Sequence, residues 1–115
     1  MNRRIPSSIF FGLAMLGFAA LIYHIVGVIH QFDATPAWRH AIFIGFCGVC
    51  IYGLLKRHEW FVWFFGVLTI QQLYSHGSHF LKQLNDGKIN WIDVAVVIIT
   101  PIVFILLLAD RKTKQ

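Results

Sequence analysis

Four long apolar runs separated by short polar linkers constrain this chain more than any other feature. They cover residues 9–29, 40–55, 60–80 and 89–109. A helix rises about 1.5 Å per residue, so about 20 residues cross a hydrocarbon core of about 30 Å. The expectation is an all-α integral membrane protein: one transmembrane domain over residues 1–115, folded as a four-transmembrane-helix bundle. The second run is short. Lys56 and Arg57 are expected to snorkel at one of its ends, with Trp38 anchoring the other.

Composition supports this. Apolar residues make up 57% of the chain and charged ones 13%. So small a body cannot hide that much apolar surface internally, which makes the lipid bilayer its expected partner. A net charge of +5 could suit nucleic acid. The cations, however, stand in short groups between apolar runs, a positive-inside pattern that leaves no role for nucleic acid. With four crossings, one side carries seven cations (Arg3, Arg4, Lys56, Arg57, Arg111, Lys112, Lys114) and the other three (Arg39, Lys82, Lys88). Both termini are therefore expected in the cytoplasm, with the chain in the cell membrane (the inner membrane if the source is bacterial). Trp60 and Trp63 on one side, and Trp38 and Trp91 on the other, fit interfacial belts. Met1-Asn2-Arg3-Arg4 before the first run resembles a signal peptide. With no small-x-small cleavage pattern before polar sequence, the run is expected to be retained.

The linkers are brief. Residues 31–39 contain Asp33 and Pro36, where Asp33 is expected to shape a turn, and residues 82–88 contain Asn85-Asp86-Gly87. Glu59 reads as a solvated interfacial charge.

Ionisable side chains inside membrane spans are functional candidates, because hydrocarbon penalises them. Five of the six histidines fall at or near one membrane face: His24, His30, His40, His76 and His79. At about 100° per residue, Thr69, Gln72, Ser75, His76 and His79 occupy about a third of the third helix's circumference. Such a stripe must face other helices or a watery cavity. His24 shares a face with Gly17, Ala20 and Gly27, small residues of the kind that mark close packing. His30 is turned about 120° away. Asn90, Asp93 and Thr100 share a stripe on the last helix, which Pro101 is expected to bend.

Imidazoles with a carboxylate suit zinc, copper or non-haem iron. The expected metal set is His24, His76, His79 and Asp93, with Gln72 and Asn90 supporting and His40 as a further candidate. Haem is the variant of this expectation, with His24 and His76 as axial ligands. Two other readings stand beside the metal one. One is an accessory or assembly subunit docking a larger membrane complex or another copy of itself. The other is a proton-coupled carrier in which His24, His76 and Asp93 titrate. No nucleophile–base constellation accompanies the cluster, so the sequence assigns no enzyme class.

Cys47-Gly48-Val49-Cys50 has redox spacing but lies about 10–15 Å into the membrane, with no second pair to relay electrons. Its thiols read as small buried hydrophobes. The opposite face of that helix, bearing Gly45, Gly48 and Tyr52, is expected to pack closely.

Overall fold

The computed structural model describes residues 4–114. They form four helices: α1 Ser7–His30, α2 Ala37–Lys56, α3 Glu59–Asn85 and α4 Trp91–Lys114. Pro6 and Pro36 hold the backbone just before α1 and α2. There the fixed φ of proline suits helix entry and its missing N–H removes no helical bond. Both helices end on non-glycine residues in the left-handed region. Gln31 (φ 44°) donates its N–H to the Gly27 carbonyl, and Arg57 (φ 55°) to the Gly53 carbonyl. α3 closes with a Schellman motif: Gly87 adopts φ 72°, with Gly87 N–H on Leu84 O at 3.0 Å and Lys88 N–H on Gln83 O at 2.9 Å.

The chain divides into two compact units, one over Pro6–His58 and one built from α3 and α4. Each is an antiparallel helical hairpin. In the first, glycines on α1 admit side chains of α2. A Cβ on Gly17 would lie 3.2 Å from Ile51, and one on Gly27 would lie 2.7 Å from the His40 ring. Phe10, Ala14, Cys50 and Leu54 are buried. At the end away from the linker, the Arg57 guanidinium donates to Ser7 Oγ at 3.2 Å and sits 4.8 Å over the Phe10 ring. The expectation for α2 is corrected here, since a Cβ on Gly45 or Gly48 would meet open space. The face α2 buries carries His40, Cys50, Gly53 and Leu54 instead.

In the second hairpin the notch at Gly66 takes the Phe104 ring, whose edge lies 2.8 Å from where a Cβ would stand. Phe61, Val62, Phe65, Val103 and Leu107 are buried. Thr69 and Thr100 return their hydroxyl protons to the carbonyls of Phe65 and Val96, each at 2.8 Å, so neither needs a partner on another helix. The far end is tied by Arg111, which donates to Glu59 Oε1 from Nε at 3.1 Å and from Nη2 at 2.6 Å. Arg111 also lies over the Trp63 ring at 5.1 Å.

Among the described residues, three helices, α1, α2 and α4, are long and apolar enough to cross a membrane. Of the four runs expected to span, α3 is the one that does not meet this measure. This helix has 27 residues, but Gln71, Gln72, Ser75, His76, Ser78 and His79 crowd its second half and lower its hydropathy. α3 also runs on to Asn85, leaving a shorter linker than expected.

Candidate functional site

Each hairpin carries an imidazole–carboxylate group at its linker end. In the second hairpin the group begins with a helix cap. Asn90 precedes α4, and its Oδ1 accepts the backbone N–H of Ile92 at 3.0 Å and of Asp93 at 3.3 Å. This is side-chain N-capping, and it places Asp93 in the first turn, where helix N–H dipoles favour an anion. Asp93 is 3% exposed. One turn of α3 presents His76 and His79 to it. His76 Nδ1 lies 2.6 Å from Oδ1, and His79 Nδ1 lies 2.5 Å from Oδ2. A carboxylate only accepts, so both imidazoles donate from Nδ1. The Gln83 amide nitrogen, 3.4 Å from His79 Nε2, completes the arrangement by donating to it.

In the first hairpin the group spans α1, the linker and α2. His40 is 2% exposed. Its Nε2 lies 3.0 Å from Asp33 Oδ1, and its Nδ1 lies 2.9 Å from His24 Nδ1. Asp33 also accepts the Tyr23 hydroxyl at 3.1 Å and the Thr35 N–H at 3.1 Å. Desolvation raises the carboxyl's pKa, but hydrogen bonds from His40, Thr35 and Tyr23 and the attraction of His40 outweigh it. The net result holds Asp33 below the usual carboxylate value. Rings enclose the imidazoles: His24 stacks on Phe43 at 5.3 Å, and Tyr23 stands edge-on to His24 at 5.3 Å and to His40 at 6.0 Å.

The expected metal set is thus distributed over two hairpins. His76, His79 and Asp93 meet in one, whereas His24 pairs with His40 in the other. The two imidazoles expected to share a haem, His24 and His76, likewise belong to different hairpins. Among the described residues, no group of three or more His, Cys, Asp or Glu side chains is arranged to hold a metal ion. His76 and His79 each hydrogen-bond the Asp93 carboxylate, one to each oxygen.

Of the residues expected in support, Asn90 caps α4. Gln72 donates to Gln71 at 2.5 Å, with no hydrogen bond to the His76–Asp93–His79 group. Asp33 and Tyr23 were missed as members of a polar group. The available signal was spacing: Asp33 precedes His40 by seven residues across the linker, and Gly27 lies one turn from His24 on the same face of α1. Among the described residues, no buried side-chain nitrogen or oxygen lacks a hydrogen-bond partner. No protein-family model, curated protein or solved structure matches the chain.

Proposed function

We propose that this chain is a multi-pass membrane protein that loads and unloads protons at His76–Asp93–His79, in the manner of a small proton-coupled carrier. The observation that carries the reading is a buried carboxylate whose two oxygens each take an imidazole Nδ1. With both rings neutral, the group has a charge of −1. One added proton makes it neutral without moving a heavy atom far. Histidine supplies a charge change near neutral pH. Protonation of His79 at Nε2 turns that acceptor into a donor, and a half-turn of the Gln83 amide then offers it an oxygen. Gln83 is thereby placed to respond to the loaded state.

The membrane reading rests on the apolar lengths of α1, α2 and α4 and on the pairing of α3 with α4. Glu59 meets Arg111 at one end of that pair, and His79 meets Asp93 at the other. If α4 crosses, α3 crosses beside it, its polar half turned to Asp93. Four crossings and the excess of cations on one side then put both termini in the cytoplasm.

The test is proton flux into liposomes holding the purified protein and an internal pH dye, under an imposed pH gradient. Flux that falls at least about tenfold in Asp93→Asn supports the reading. Equal flux in wild type and variant, or none in wild type, overturns it. Elemental analysis runs alongside. Stoichiometric zinc, copper or iron lost from a His76→Ala/His79→Ala double variant would replace the proton reading with the metal one.

A further inference from the structure

We propose that this protein pairs with a second copy of itself through the face of α3 turned away from α4, the Gln71 carboxamides of the two copies bonding each other near the middle of the membrane. The inference rests on α3 crossing the membrane beside α4, which is part of the proposed function. It does not rest on proton loading at His76–Asp93–His79.

Helical period defines the face. At about 100° per residue, Trp63, Val67, Ile70, Gln71, Tyr74 and Ser78 fall within about 100° of the circumference of α3. Val67, Ile70 and Tyr74 are 70%, 71% and 79% exposed, and Gln71 is exposed among them. Gln71 stands about 140° around the helix from His76, which meets Asp93, so its side chain points away from α4. It also lies near the midpoint of the run 60–80, where hydrocarbon offers a carboxamide no hydrogen bond.

Gln71 is partly met within its own helix, where its Oε1 accepts from Gln72 Nε2 at 2.5 Å. A carboxamide has two N–H donors and an acceptor oxygen, so one bond between two of them leaves most of their capacity over. No other side chain at that depth in the same copy is suited to take it up. The stretches 9–22, 41–51 and 94–109 of the other helices carry only Cys47, Cys50 and Thr100 as polar side chains. Thr100 returns its proton to the Val96 carbonyl, and a thiol is a weak partner. A second copy supplies what is missing. Copies inserted the same way and related by a two-fold axis along the membrane normal set each α3 residue beside its counterpart at equal depth. Because a carboxamide both donates and accepts, Gln71 is complementary to its own image. No Asp, Glu, Lys or Arg lies in α3 between Glu59 and Lys82, so the copies meet there without like-charge repulsion. Gly77 borders the face, and a Cβ there would meet open space, which lets a partner helix come close.

The test places the full chain, dye-labelled at its C-terminus, in liposomes over a range of protein-to-lipid ratios and counts copies by single-molecule photobleaching. Dimers that form in wild type and weaken about tenfold in Gln71→Leu support the proposal. Leucine cannot hydrogen-bond but makes α3 more apolar, so the variant keeps its means of insertion. In native membranes, Tyr74→Cys is expected to crosslink two copies on oxidation, and Ile98→Cys, at similar depth on α4, is not. Monomers at every ratio, or dimers of equal strength in Gln71→Leu, overturn the proposal. So does a crosslink from position 74 into residues 7–56 of the same copy or into a different protein. Monomers whose proton flux still depends on Asp93 remove this proposal alone, and dimers whose flux ignores Asp93→Asn remove the proton reading alone.

Discussion

A glycine seats an aromatic ring in each hairpin, Gly27 under His40 and Gly66 under Phe104. At both, a methyl group would occupy space already filled. Gly66→Ala is expected to destabilise the protein by about 1–3 kcal/mol through overpacking. Phe104→Leu in the same background should recover much of this, giving a non-additive double-mutant cycle in thermal unfolding. Asp33 carries a prediction about pH. Its carboxyl is held below the ordinary value of 3.8, so its contribution to stability is present above that value and is lost as pH falls through the depressed one. Acid unfolding below about pH 4 should therefore weaken in Asp33→Asn, whose baseline stability is lower but less dependent on acid. By contrast, Glu59→Gln should change stability by less than about 1 kcal/mol. The Glu59 side chain is 66% exposed, and water screens its pairing with Arg111.

At the scale of the helix, α3 is the informative case. Its apolar first half packs by shape, and its polar second half is matched by a single carboxylate from α4. This dependence is testable in a membrane-insertion assay with glycosylation tags. α3 alone should insert poorly, α3 with α4 should insert efficiently, and Asp93→Leu should lower the efficiency of the pair. The existence and approximate extent of all four helices were legible from apolar run length, and the polar stripe of α3 from its period. The pairing was not. Angular position places His24, His76 and Asp93 on inward faces, but it cannot say which inward face meets which. That is decided by local packing: the notch at Gly27 draws His40 to His24, and the Asn90 cap turns Asp93 toward α3. Asp33 was legible as a turn residue only, because its second role depends on a ring that enters from the next helix.

For the whole molecule, the pattern of charge and the two hairpins lead to one expectation. Reporter fusions at either terminus should be active on the cytoplasmic side, and a fusion within residues 86–90 should be active on the opposite side. If either terminus reads out as external, the seven-to-three division of cations does not govern insertion and the proposed topology fails.

Gly27 has two contacts that are separate in sequence logic but joined in space. Its carbonyl receives the N–H that closes α1 at Gln31, and its missing side chain receives His40. Fraying of the last turn of α1 would therefore loosen the seat of the imidazole, and removal of that imidazole would loosen the last turn. Deuterium uptake at the single backbone amide of Gln31 should then rise in His40→Ala, which makes the end of α1 a built-in reporter of whether a ring on another helix is in its seat.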